Sequence, residues 1–413
     1  MPCFELHRPL GVFGAITVAA ALSGPAGAET SAEFAYSARP ALQAPNAPDH
    51  SQTANVVSGN DPLSVFTPGR DPINHTIDYS IWDYALENLV VSMGPSNRKT
   101  AGSPEPSFLT RRQYGHRSRY RLEGAMVTFS FFDRKVRASF TEYREDLQRT
   151  AELIDIQSLP RNEQLAYWFN LHNVALIEQI AYEWPVREPR KIEIDGVLLD
   201  DARFITVEGV ALSLRDIREK IVFRHWRDPR VIYGFWRGEI GGPAMQREAF
   251  NADNVDRLLN RAAGEFVNSL RGTQKRGSRL QVATLFEEAA PFFFPDFDSD
   301  IRQHISRFAK EPVREILEKT DTVEATVREY RIADLAGGSR QPTFNMVNSI
   351  SPTGLSTGRT GGSGFRVPPA MQRLLAQRAQ KLDVMRRRGE LTGEIFFDNI
   401  DLPGDPEDKG EVE

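Results

Sequence analysis

Three polar side chains inside one apolar stretch, Asn170, His172 and Asn173, are the residues of this chain best placed to do chemistry. An imidazole titrates near neutral pH and can take or give a proton, while neighbouring amides can orient it or hold a ligand. The same groups can instead close a hydrogen-bond network in the core, because a buried amide left unpaired costs about 1–3 kcal/mol. Arg230, in Asp228-Pro-Arg230, offers a planar fork for a carboxylate or phosphate, or a tie to Asp228 or Asp216. Glu239 stands in the glycine-rich run Gly238-Glu-Ile-Gly-Gly-Pro243, whose backbone amides could cradle an anion. Asn170, His172, Asn173, Arg230 and Glu239 together form the candidate polar site, with no residue assigned a catalytic role.

Other chemistries find less support. Ser213, in Leu-Ser-Leu-Arg-Asp, reads as a helix N-cap with Asp216 at the third helical position rather than as a nucleophile. Asp200-Asp201 and Glu287-Glu288 are carboxylate pairs, and only their separations in space would decide an acid–base role. The histidines are scattered and no paired-cysteine spacing exists, so no metal site is expected. No phosphate-loop or dinucleotide fingerprint occurs, and no cofactor is expected. The net charge of -5 supplies no basic field for nucleic acid.

The first 28 residues read as a secretory signal: Arg8, an apolar run from Leu10 to Leu22, and the small residues Ala26-Gly27-Ala28 before the cleavage point. The run is shorter than the ~20 residues that span a bilayer. A periplasmic or secreted bacterial protein starting at Glu29 is therefore expected. Cys3, the only cysteine, leaves with that segment, so the mature chain has neither thiol nor disulfide. A core of this size holds without such staples.

Several elements must position the polar groups. The stretch from Asn162 to Ile180 predicts a helix apolar almost all round, with Leu165, Phe169, His172, Leu176 and Ile180 on one stripe and Ala166, Asn170, Asn173 and Ile177 on the next. Further helices are predicted over 77–93, 143–154, 214–222, 255–270, 285–288 and 301–316. Alternation at Val127, Phe129, Phe131 and again at Val136, Ala138, Phe140 predicts a hairpin turning at Asp133-Arg134-Lys135. Short strands are expected over 191–210, and a buried strand over 230–235. A disordered leader (29–70) and linker (336–365) flank a globular domain at 71–335. A basic amphipathic helix and an acidic tail fill 366–413, the helix lying over 368–388. Basic residues run from Arg111 to Arg121 and from Arg373 to Arg388, and could meet an envelope protein or an anionic surface. The helix could equally dock on its own domain.

Glu163-Gln-Leu-Ala-Tyr-Trp-Phe-Asn170 followed by Asn173, Val210-Ala-Leu-Ser-Leu-Arg-Asp-Ile217, Asp228-Pro-Arg-Val-Ile-Tyr233, Gly238 to Met245, Glu248-Ala-Phe250 and the region from Phe292 to Phe297 resemble, in order and spacing, the family called domain of unknown function 547. The resemblance spans roughly residues 125–330. It implies a mainly helical α+β domain, with a distant papain-like or transglutaminase-like relation. It also implies a histidine shortly after Asp-Pro-Arg and a cysteine just before the later proline. Those family positions fall here on Ile232 and Gly242, which can neither take a proton nor attack a carbonyl. A non-catalytic binding or scaffolding domain at the cell envelope is the leading expectation. The alternative is a hydrolase or transferase with a non-thiol site around His172 and Arg230.

Overall fold

Residues 61–69, 72–103, 115–340 and 368–391 are described in the computed structural model of the chain. The expected signal segment, most of the leader and linker, and the acidic tail lie outside the described residues. The chain divides into Met1–Pro62 and Leu63–Glu413, and every element below belongs to the second unit.

In chain order come α1 (Ser80–Leu89), β1 (Val90–Ser92), β2 (Ala125–Val127), α2 (Arg134–Leu153) and α3 (Arg161–Glu183). Two small antiparallel hairpins follow, β3 (Glu193–Ile194) with β4 (Val197–Leu198), and β5 (Ile205–Val207) with β6 (Val210–Leu212). A π-helical turn, Asp216–Val222, runs into the short α4 (Phe223–His225), and a 3-10 helix covers Pro229–Gly234. The remainder is α5 (Val255–Val267), β7 (Thr273–Arg276), β8 (Arg279–Ala283), α6 (Thr284–Phe293), α7 (Phe297–Phe308), α8 (Glu311–Glu318), β9 (Thr322–Val327) and α9 (Pro369–Arg387). The architecture is mixed α+β and mainly helical, as expected.

The helix α3 is the centre of the core, with eighteen of its twenty-three residues buried. Its apolar side chains meet aromatic neighbours on several sides: Phe66 lies edge-on to Trp168 at 5.2 Å, and Phe169 packs on Phe235 and Phe250 at 4.8 and 4.7 Å. Every polar side chain on the buried part of α3 finds a partner. Glu163 Oε1 accepts from Ile77 N at 2.8 Å, and Gln164 Nε2 donates to the carbonyls of Gln157 and Leu159 at 2.9 and 2.7 Å. Tyr167 donates to Leu147 O at 3.1 Å, and Glu178 is bound by Arg144 at 2.5 Å. Asn170 bridges Phe250, donating to its carbonyl at 2.7 Å and accepting from its N–H at 3.1 Å. Asn173 donates to Gly234 O and accepts from Trp236 N, both at 3.0 Å. Gly234 is required at that contact, since a Cβ there would stand 2.4 Å from the Phe169 ring.

Several elements differ from their sequence reading. The expected hairpin around 127–140 is instead β2, a 3-10 turn at Phe129–Phe131, and the start of α2. Asp133 decides this as an N-cap, accepting from Val136 N at 2.8 Å. The buried residues Phe140, Tyr143, Leu147 and Ala151 then follow at helical spacing. The expected strand over 230–235 is a 3-10 helix for a similar reason: Asp228 caps Arg230 N at 2.9 Å and Pro229 takes the first helical position. The single helix over 301–316 divides into α7 and α8, with Pro312 in the first turn of α8. The helix over 77–93 gives way at Val90 to β1, which pairs with β2. The sheet β7-β8-β9 was not anticipated, because strands such as Thr-Gln-Lys-Arg expose most of their side chains and lack an apolar face. Both edges of the domain extend past their expected limits. Phe66, assigned to the leader, is buried on Trp168, and Ala336, assigned to the linker, is buried too.

The amide network on α3 carries a stability prediction. Replacing Asn173 with Ala strands the Trp236 N–H and the Gly234 carbonyl in the core. A loss of roughly 2–4 kcal/mol is expected in urea unfolding, and a loss below about half a kcal/mol would show that the network is dispensable.

Candidate functional site

Leu176 of α3 lines a cleft of about 530 Å3 that is otherwise walled by the β3–β4 region, the π-turn, the 237–242 loop, α6 and the segment after β9. Its innermost cation is Arg218, only 1% exposed. The π-turn carries it inward: Ser213 and Asp216 cap one another, Asp216 N donating to Ser213 Oγ at 3.0 Å and Ser213 N to Asp216 Oδ2 at 3.2 Å. Ser213 thus occupies the capping position its sequence suggested.

Arg218 grips Asp200 with two parallel bonds of 2.7 Å, a fork that carboxylate geometry matches. Its NH2 also stands 3.5 Å from Glu288, and Arg237 donates to that same Glu288 at 2.7 Å. Arg215 closes on Asp200 from outside at 3.2 Å. Burial by itself would push the Asp200 carboxyl up, yet the guanidinium groups of Arg218 and Arg237 hold it well below the usual carboxylate range. Glu288 is likewise lowered against its burial by Arg237 and Arg218. Arg237 is raised despite burial, by Glu288 and Asp200.

His172 stands directly behind this cluster and is fully buried. Arg218 NH1 lies 3.1 Å from its Nε2, and a guanidinium can only donate, so Nε2 is the acceptor. The ring proton therefore sits on Nδ1 and is donated to Asn173 Oδ1 at 3.1 Å. Burial first, and then the charge of Arg218, lower the imidazole pKa well below its ordinary value. Both ring nitrogens are committed and the ring is held neutral.

Glu239 lines the same cleft, but neither a hydrogen bond nor an ion pair reaches its carboxyl among the described residues. Burial pushes its pKa up to about 8, only partly offset by Arg237 and Arg190. It is a carboxylic acid at neutral pH, able to donate a proton or a hydrogen bond.

The five candidate residues are thus separated. Asn170 and Asn173 bind backbone in the core, His172 supports Arg218 from behind, and only Glu239 lines the cleft. Arg230 is tied to Asp228 at 2.7 Å and Asp256 at 2.8 Å, and does not line the cleft. The 238–243 loop offers no open anion cradle, because the amides of Ile240, Gly241 and Gly242 already donate to the carbonyls of Arg331, Glu329 and Glu239. Ile232 is buried. Gly242 lines the cleft, and a Cβ there would lie 3.1 Å from Arg237 Cβ.

Sequence reasoning passed over Arg218 and Arg237. The usable signal for Arg218 was a cation between Ile217 and Ile221-Val222, where an apolar face demands a carboxylate partner. Asp200 and Glu288 were noted only as members of acidic pairs. A second hollow, of about 620 Å3, adjoins the start of α1. There Asp83 caps Ala249 N at 2.8 Å and Glu248 is bound by Arg257 and Arg261, so these carboxylates serve the fold. Among the described residues no three histidine, aspartate or glutamate side chains are grouped to hold a metal.

A mainly helical α+β domain with an arginine–carboxylate cleft backed by an enclosed imidazole is the class that this geometry defines. Residues 156–267 match the model of the family described as Protein of unknown function, DUF547. The expected resemblance is established over that stretch, which holds α3, Arg218, Arg237 and Glu239. No curated protein and no solved structure matches the chain.

The sign of the Glu239 effect on stability is set by its raised pKa. Its proton is held in the folded state and lost in the unfolded one above the ordinary value of 4.5, so this contribution is complete below pH 4.5 and declines up to about 8. Glu239→Gln should gain stability relative to the parent across that window, by on the order of 2–4 kcal/mol after allowance for solvent access. Urea midpoints of the two proteins that move in parallel from pH 4.5 to 8 would refute the assignment.

Proposed function

We propose that the protein is an exported, envelope-associated binding module that holds an anion-bearing small ligand in the Arg218–Arg237 cleft without reacting with it. The carrying observation is the use made of His172: its one lone pair is taken by Arg218 and its proton by Asn173, so it orders a charged cluster and moves no proton. The family positions for a thiol and its base are filled by Gly242 and Ile232, which leaves no nucleophile–base pair there. Six cationic side chains line the cleft against five carboxyls, one of them the protonated Glu239. That balance favours an anion, and Arg190 stacked 3.4 Å over the Tyr330 ring adds a flat wall beside it. Export rests on Arg8, the apolar run from Leu10 to Leu22 and the small residues at 26–28.

The rival reading, a non-thiol hydrolase or transferase of distant papain-like or transglutaminase-like kinship, needs His172 and Arg230 on one substrate. The first is enclosed, and the second is held by Asp228 and Asp256 away from the cleft lining.

The test is a thermal-shift and calorimetric titration of the mature chain with small carboxylates and phosphates, run beside chromogenic ester and amide substrates. At least one anion should stabilise the protein, with Arg237→Gln and the rim variant Arg328→Ser each weakening it about tenfold, near 1.4 kcal/mol. Indifference to every anion would sink the binding reading. Turnover of an ester or amide that Glu239→Gln abolishes would sink the non-catalytic one.

A further inference from the structure

The carboxylates in the wall of the Arg218–Arg237 cleft are all taken except one. Asp200 is held by Arg218 through two bonds of 2.7 Å, Glu288 by Arg237 at 2.7 Å, Asp201 by Arg215 at 2.6 Å and Glu329 by Arg331 at 3.0 Å. Among the described residues the lining groups left uncommitted are the Glu239 carboxyl, the hydroxyls of Thr284 and Tyr330, and the guanidinium of Arg328 at the exposed rim. Each of them has a hydrogen to donate, so the cleft is complementary to a group that only accepts. Thr284 and Leu285 open α6 on the same wall, and Ala283 before them supplies no side-chain cap. The positive end of that helix therefore adds to the attraction for an anion.

The rest of the wall is apolar. Leu176, Leu199 and Leu214 are buried in it, Leu285 is partly buried, and Leu198 on β4 is 47% exposed. One exposed leucine is ordinary, but this one borders a cleft of about 530 Å3 that has spare donors, which is room for a small organic ligand. We infer that the ligand of this cleft is an amphiphilic monocarboxylate of medium chain length, its carboxylate accepting a hydrogen bond from the Glu239 carboxyl and its chain lying along Leu198 and Leu285. The inference rests on the anion-binding reading above and narrows it to one chemical class. A second anionic group would fall against leucine, and the extra charge of a phosphate would enter the field of the ionised Asp200 and Glu288.

Glu239 donates only while protonated, and burial keeps it so up to about pH 8. Arg237 faces it from its own loop, Arg190 from the 189–191 turn, Asp200 from beyond β4 and Glu288 from α6. The segment that pairs with its backbone carries Glu329 and Arg331, which bind one another. Asp200 and Glu288 are held ionised, and guanidinium groups do not titrate in this range. Between pH 7 and 9 the change of charge thus falls on Glu239, which on ionising loses its hydrogen and repels the ligand.

Isothermal titration calorimetry of the chain from Glu29 onward, with acetate, butyrate, octanoate, octanol and octyl phosphate at pH 7 and 9, tests this. Octanoate should bind at least about tenfold more tightly than butyrate, at roughly two- to fourfold per added methylene. Its affinity should fall about tenfold from pH 7 to 9 in the parent. In Glu239→Gln it should hold constant, because the amide keeps a hydrogen to donate and does not titrate. Leu198→Ser should weaken octanoate about fivefold and leave acetate unchanged, with melting curves verifying that both variants fold. Acetate or octyl phosphate binding as tightly as octanoate would overturn the assignment while leaving the anion reading in place. Octanol binding as tightly as octanoate, or the same pH dependence in parent and Glu239→Gln, would overturn it as well. Failure of every anion to bind would take the anion reading down with it.

Discussion

A helix buried on all sides can carry polar side chains only if each one finds a partner, and that requirement organises this protein. The partners of α3 are mostly backbone atoms of other segments: Ile77, the turn at 157–159, Gly234, Trp236 and Phe250. Irregular chain has no ladder of its own to satisfy its amides. The asparagines substitute for that ladder, and so hold the loops against the helix where apolar contact alone would let them slide. The cost of a mismatch is paid in the core, where an orphaned polar group meets a low dielectric.

The same helix transmits order to the cleft. His172 receives Arg218 on one nitrogen and rests on Asn173 through the other, so the guanidinium is held in a fixed direction. A buried arginine is tolerable only with close carboxylates, which Asp200 and Glu288 supply. With two carboxylates already ionised beside the available arginines, a third gains little by losing its proton. Glu239, with no hydrogen-bonded partner among the described residues, stays protonated chiefly because its surroundings penalise the charge by desolvation, and the nearby Asp200 and Glu288 add to that. A neutral acid thus stands beside fixed cations in one cleft.

At the opposite end of the chain, α9 illustrates how tertiary contact redefines an amphipathic helix. Its apolar stripe packs on the domain and its buried lysine satisfies the carbonyls of Pro95 and Leu122. Its polar side meets a segment far earlier in the chain, Arg121 Nε donating to Gln377 across 256 positions.

Much of this was legible beforehand. The period and apolarity of 162–180 implied an enclosed central helix, and Ser213 with Asp216 implied a reciprocal cap, because both depend on neighbours within a turn or two. Asp133 and Asp228-Pro229 carried equally local signals that were outweighed by apolar alternation, which is why a helix and a 3-10 turn were taken for strands. The sequence alone settled that Cys3 is the single cysteine, with none in the domain itself, and which polar groups had to find partners. Only the tertiary structure decided who those partners are: it drew His172 to Arg218, set Arg230 apart with Asp256, and joined Asp200 to Glu288 across 88 positions. Hydrogen bonds and ion pairs act over a few ångströms of space, and separation along a folded chain does not measure that distance.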